Sequence, residues 1–263
     1  MAVEKGSHHG VNDTGDERKD YSFGYHKVSA AEKDRLVRDH FTSIARKYDF
    51  MNTLLSFGLH YWWKRVTVKR MPLPKGAKIL DVCGGTADLS LLALKRSRGI
   101  GGIIVYDINY AMLQAGKEKM ERSGFSERIE RVQGDAEIMS FADNTFDGVM
   151  VGFGIRNFTH MEKGLAEMHR VLKPGGTFVC LEFSRPTSRL FGALYDFYSF
   201  VVMPLAGSIF AGTRKAYTYL PESIRLFPSA DRLASILGGL GFRDVTYERM
   251  TNGIAVIHRA VKA

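Results

Sequence analysis

Between residues 78 and 182 the chain alternates short apolar runs with amphipathic stretches five times over, and this constrains the fold more than any other feature. Such alternation is the habit of a parallel sheet whose strands are joined by crossover helices. The spacing predicts strands over 78–82, 102–106, 129–133, 148–152 and 177–182, with helices over 88–96, 110–123, 135–139 and 160–172. Lys173-Pro174-Gly175-Gly176 closes the last of these helices. A further helix over 229–240 precedes strands 244–250 and 254–260, which flank Asn252-Gly253, a strong hairpin signal. The expected fold class is α/β: a Rossmann-like, doubly wound, seven-stranded sheet with its last strand antiparallel.

Two segments fall outside this alternation. Residues 27–71 are expected to hold two N-terminal helices, over 30–47 and 51–71, ahead of Pro72 and Pro74. Residues 186–226 read as a mostly helical lid inserted after the fifth strand. Within it, 190–211 matches a membrane span in length, but Asp196, Pro204 and Gly207 interrupt it, so it reads as a membrane-facing surface. Residues 1–26, rich in Gly, His, Asp and Lys, read as a loosely ordered tail before a single domain over 27–263. No apolar run like that of a signal peptide follows Met1, and Cys83 and Cys180 match neither a disulfide framework nor a metal spacing; a cytoplasmic setting is expected. The eight histidines show no ligand spacing either, so no metal is expected, and His60 and His160 read as structural or exposed rather than catalytic. The net charge of +9 points to an anionic partner without choosing among nucleic acid, acidic lipid and a phosphorylated substrate.

The chemistry starts at residues 79–88, Ile-Leu-Asp-Val-Cys-Gly-Gly-Thr-Ala-Asp, where a strand ends, turns on Gly84 and Gly85, and opens a helix. This is how an α/β sheet holds a nucleotide at its carboxyl edge. The G-x-G-x-x-G of a dinucleotide site is absent, which argues against a dehydrogenase. Asp107, ending the second strand, can accept both ribose hydroxyls. Asp81 can orient the glycine turn or meet the amino-acid end of a ligand. Two acids without a phosphate cradle suit a nucleoside that carries a zwitterion.

The loop resembles motif I of the class I S-adenosylmethionine methyltransferases, D/E-x-G-x-G-x-G, with Cys83 and Ala87 in place of two glycines. Further blocks are more specific: Tyr48-Asp49-Phe50-Met51-Asn52, Ser56-Phe57-Gly58-Leu59-His60 with Trp63-Lys64, Phe153-Gly154-Ile155-Arg156-Asn157, and Ala216-Tyr217 through Tyr219-Leu220-Pro221-Glu222-Ser223-Ile224. Together they resemble the ubiquinone/menaquinone biosynthesis C-methyltransferase family, from about Phe23 to the C-terminus. The resemblance implies S-adenosylmethionine as cofactor, and Thr86, Asp107, Asp135, Ala136 and Gly152 as positions that bind it. Gly152 stands where the family commonly has Ser.

It also implies a membrane-borne polyprenyl quinol as substrate. That assigns Arg156 and Asn157, just past the fourth strand, to substrate positioning and phenolate stabilisation. Tyr48 and Phe153 offer aromatic faces to the sulfonium. The aromatics from Tyr195 to Phe200 read as core cover, with a lipid-tail channel as the other reading. Peripheral contact with an anionic membrane surface would use the positive charge, and a homodimer is compatible with the chain. Nucleic acid is not the expected partner, because the Asp/Asn-Pro-Pro-aromatic signature of base-amino methylases is replaced by Gly152-Phe153-Gly154-Ile155-Arg156.

Overall fold

The computed structural model describes residues 20–263. Most of the expected tail lies outside the described residues, but its end does not behave as a tail. Tyr21–Phe23 (β1) pairs antiparallel with His26–Val28 (β2) around Gly24, whose φ of 56° makes the tight reversal. Ser29 then caps Ala30–Ile44 (α1) by accepting from Glu32 N. The second expected N-terminal helix is two, Tyr48–Leu55 (α2) and Leu59–Arg70 (α3), broken where Phe57 and Gly58 take φ of 50° and 75°. Glycine enters this left-handed region freely and ends a helix there.

The central elements follow the expected alternation: Lys78–Val82 (β3), Asp88–Arg96 (α4), Gly102–Asp107 (β4), Tyr110–Arg122 (α5), Ile129–Gln133 (β5), Phe146–Gly152 (β6), Met161–Val171 (α6) and Leu172–Phe183 (β7), except that residues 173–176, expected to close the helix, lie inside β7, where Leu172 already pairs with Phe146. The expected short helix over 135–139 is instead a turn, in which Asp135 Oδ1 accepts from Glu137 N at 2.8 Å. An aspartate that bonds the backbone two residues on favours such turns over helix.

The inserted segment is mostly helical, as expected. Arg189–Phe197 (α7) runs through two wider π turns, with Met203–Ala206 (α8) between them, to Ala211, and Arg214–Leu226 (α9) folds back. Ala230–Gly239 (α10) leads to Phe242–Met250 (β8) and Ala255–Lys262 (β9). Asn252 and Gly253 turn this last hairpin with φ of 54° and 90°.

The sheet order is β5-β4-β3-β6-β7-β9-β8, with β9 antiparallel to both neighbours. Alternate residues face opposite layers, as the period of two requires. Leu80, Val82, Val149 and Val151 meet α6 and α10 through Leu165, Met168, Leu233 and Leu237. Ile79 and Met150 meet α3 and α4 through Trp63, Val68 and Leu94. The strand order reverses between β3 and β6, so their carboxyl ends splay apart into the crevice where open α/β sheets bind ligands.

Candidate active site

That crevice is a cleft lined by the β3–α4 loop, the ends of β4 and β6, and α1 above them. Cys83, Gly85 and Ala87, the three positions where motif I carries glycine, have φ of 52°, 46° and 64°. The two departures from the motif therefore sit in the backbone conformation that glycine is there to supply, at a cost of about 1–2 kcal/mol each. Gly84 is needed for a different reason. A Cβ there would lie 2.8 Å from Val105 and 2.9 Å from Asp81 O.

All the expected cofactor residues come together on this cleft: Asp81, Gly84, Gly85, Thr86, Asp107, Asp135, Ala136 and Gly152. Asp107 is fixed by two backbone amides, Gly85 N to Oδ2 at 3.0 Å and Asn109 N to Oδ1 at 2.8 Å. Burial still pushes its carboxyl up to about 6. Asp81 accepts at Oδ2 from Ser90 N and Ser90 Oγ, while its Oδ1 is buried with no partner. Burial raises this carboxyl to about 7. An orphaned buried acceptor beside the glycine turn fits the ammonium of a zwitterionic ligand, and the amide-held Asp107 fits a ribose.

Thr86 is in the cleft, but its hydroxyl is engaged, donating to Asp49 Oδ1 at 2.7 Å. Asp49 joins a chain of charges that sequence reasoning missed: Lys119 bridges Asp49 and Asp88 at 2.7 and 2.6 Å, and Lys64 meets Asp88 at 2.5 Å. Burial would raise the Asp88 carboxyl, but Lys64 and Lys119 hold it down to about 2. Lys64 and Asp88 both line the cleft. Their separation by 24 residues left no local signal.

Arg156 and Asn157 sit on one turn after β6 yet do different work. Asn157 lines the cofactor cleft, but its amide donates to Phe153 O and Gly154 O and accepts from Tyr219 Oη at 2.9 Å. It ties the turn to α9 and has no hydrogen left for a substrate, contrary to the role expected of it.

Arg156 lines a second, apolar cavity on the far side of Phe41, Tyr48 and Phe153, three residues shared by the walls of both spaces. Nη1 donates to Phe153 O at 2.5 Å and to Glu182 Oε1 at 2.7 Å, with Phe183 beneath at 5.3 Å. Nε is buried and has no partner. Glu182, 1% exposed at the end of β7, is the fixed counter-ion, and no sequence motif marked it. Among the described residues no cluster of side chains could hold a metal.

A model of the ubiE/COQ5 methyltransferase family matches residues 28–262. The chain belongs to this family. Two curated relatives named ubiquinone/menaquinone biosynthesis C-methyltransferase UbiE cover nearly all of it. The protein from Idiomarina loihiensis is 44% identical over 96% of this chain and 100% of its own length, and that from Azotobacter vinelandii is 44% identical over 91% and 95%. Among solved structures, the Haloferax volcanii methyltransferase complexed with its Trm112 activator aligns with a TM-score of 0.62 at 17% identity, covering 86% of this chain and 96% of that one. Haemonchus contortus phosphoethanolamine N-methyltransferase 2, solved with S-adenosylhomocysteine, has the same score and identity over 86% and 59%. At such identity these two speak to the fold. The cofactor of this ubiE/COQ5 methyltransferase is S-adenosylmethionine.

Asp107→Ala is expected to weaken cofactor binding by about 1.5–3 kcal/mol, as lost hydrogen bonds to a charged group do. Unchanged affinity in titration calorimetry would remove Asp107 from the ribose site. Asp81 gives a second, pH-dependent expectation. With its carboxyl near 7 in the free protein, a bound cation favours the ionised form, so binding at neutral pH releases protons. Release fades at alkaline pH, where Asp81 is already ionised. Asp107, near 6, adds in the same direction at lower pH. Calorimetry in buffers of different ionisation enthalpy reads the release directly, and Asp81→Asn will reduce it. Heats that stay independent of buffer at acidic as well as neutral pH would show that no cation meets Asp81.

Proposed function

We propose that this protein transfers the methyl group of S-adenosylmethionine to a ring carbon of a reduced polyprenyl quinone precursor. The leading substrate is demethylmenaquinol, with the benzoquinol of the ubiquinone pathway as a second. The observation that carries the reading is the pair of cavities meeting at Phe41, Tyr48 and Phe153: a polar cleft suited to a nucleoside zwitterion and an apolar one suited to a ring with a lipid tail. The cofactor's sulfonium supplies an electrophilic methyl. The protein must orient the ring carbon against it, exclude water and stabilise negative charge on the ring oxygen. The unpartnered Nε of Arg156 offers that oxygen a charged donor, while Glu182 and the Phe153 carbonyl hold the guanidinium still.

Phe57, Leu194 and Phe197 line the apolar cavity and are also 80%, 65% and 61% exposed, so its mouth opens among them. The mouth continues onto the helical run Arg189–Ala211, whose Leu190, Leu205, Ile209 and Phe210 face solvent. Only 28% of its most apolar window is buried, too little for a core helix. Lying in the membrane interface, it would let the tail pass from lipid to cavity, and the net charge of +9 would hold the protein at an anionic inner leaflet.

Labelled cofactor offered with each reduced quinol tests the chemistry, and absence of a C-methylated product from all of them would sink it. Pelleting with vesicles tests the surface: binding to anionic vesicles that weakens with salt is expected. Failure to pellet with anionic or neutral vesicles at any salt would remove the membrane from the account.

A further inference from the structure

Arg156 can only donate hydrogen bonds, so a quinol hydroxyl that must lose its proton needs a separate acceptor. The break between α2 and α3 supplies one. Ser56, just past α2, donates its only hydroxyl hydrogen to Asn52 O at 2.6 Å and accepts from the backbone N of His60 at 3.3 Å. The same Oγ lies 2.7 Å from His60 Nδ1. With its hydrogen already used, the serine can only accept there, and Nδ1 must carry the ring hydrogen. That leaves the lone pair on Nε2 bare, and no described residue donates to it. His60 is 3% exposed and lines the apolar cavity together with Arg156.

We propose that Nε2 of His60 accepts the hydrogen bond of a quinol hydroxyl and takes its proton as the ring carbon attacks the methyl group. This rests on the quinol reading above. The bond between ring carbon and methyl forms as the methyl–sulfur bond breaks with its electron pair on sulfur. The hydroxyl proton passes to Nε2 and the oxygen becomes a carbonyl. Loss of the ring carbon's own hydrogen to water then restores the aromatic ring, and the oxygen recovers its proton from the imidazolium.

Burial lowers the His60 pKa to about 4, with Lys64 and Lys119 acting in the same direction and Asp88 and Asp49 against it. The ring is therefore neutral at physiological pH, and so weak a base takes the proton only as carbon attack makes the hydroxyl strongly acidic. His40 lines the same cavity, also lowered to about 4 by burial and by the Arg156 charge beside it. No described side chain fixes its tautomer, so no nitrogen of His40 is set as an acceptor.

The test uses His60→Ala and His60→Gln in the full chain, with His40→Gln as control. Cofactor affinity, melting temperature and single-turnover methylation of the reduced quinol are read for each. His60→Ala is expected to bind cofactor normally and to lose about 10²–10⁴-fold in rate, the usual range for a positioned acid–base group. Added imidazole should restore part of that rate, whereas pyrrole, a ring of similar size without a free lone pair, should not. A structural role would be rescued by both or by neither, and any pattern except rescue by imidazole alone overturns the proposal. Should the alanine variant fail to fold, His60→Gln decides: it keeps an acceptor oxygen but cannot take a proton, so KM should stay near the parental value while the rate falls. A parental rate in either variant, or an equal loss in His40→Gln, also overturns it. If the parental protein methylates no quinol, it is the quinol reading that has failed, and the role of His60 falls with it.

Discussion

Arg156→Ala is expected to lower single-turnover methylation by roughly a hundredfold or more with cofactor affinity nearly unchanged, as loss of an oxyanion donor does. The guanidinium lines the apolar cavity, and on the proposed reading it would meet charge that exists only as the ring oxygen becomes negative. Removing it also strands Glu182, 1% exposed, which costs about 3–5 kcal/mol of stability when one partner of a buried pair is lost. A second variant, Arg156→Met with Glu182→Gln, removes both charges and separates catalysis from folding. Arg156→Lys keeps the charge without the planar fork and should rescue only in part. Methylation at the parental rate in a folded variant, or a loss traced wholly to cofactor affinity, would deny Arg156 this role.

Turnover is expected to vanish when the quinone is kept rigorously oxidised. An oxidised ring is electron-poor and cannot attack a methyl cation, whereas the quinol pushes density from oxygen to the adjacent carbon. Nothing in the apolar cavity could make up the deficit, because its walls are aliphatic and aromatic apart from a few polar groups such as Arg156 and His60. Equal rates with quinone and quinol, followed by product mass, would overturn the mechanism.

The central strands were legible because β3, β4, β6 and β7 are apolar runs beside Gly or an acid, and the cofactor loop because its residues are contiguous. What stayed hidden depends on partners distant in sequence. Lys64 meets Asp88 across 24 residues, and Arg156 meets Glu182 across 26. Asn157 looked like a substrate ligand until Tyr219, 62 residues on, engaged its amide. The proposed role of His60 left no sequence signal, because it rests on a serine whose hydrogen is directed elsewhere, a fact of geometry. The β1–β2 hairpin escaped because Phe23 is held by stacking on Tyr219 at 4.2 Å rather than by any apolar run of its own.

On the proposed reading, the layer formed by Phe41, Tyr48 and Phe153 would set apart two solvents as well as two cavities. On one side a cation dissolves in water and would never partition into lipid; on the other a ring on an isoprenoid chain dissolves in lipid and would never leave it. Where the two cavities meet, methyl and ring carbon would come together while each reactant stays in the medium it prefers. In the language of synthesis this is catalysis at a phase boundary, with the protein as the interface.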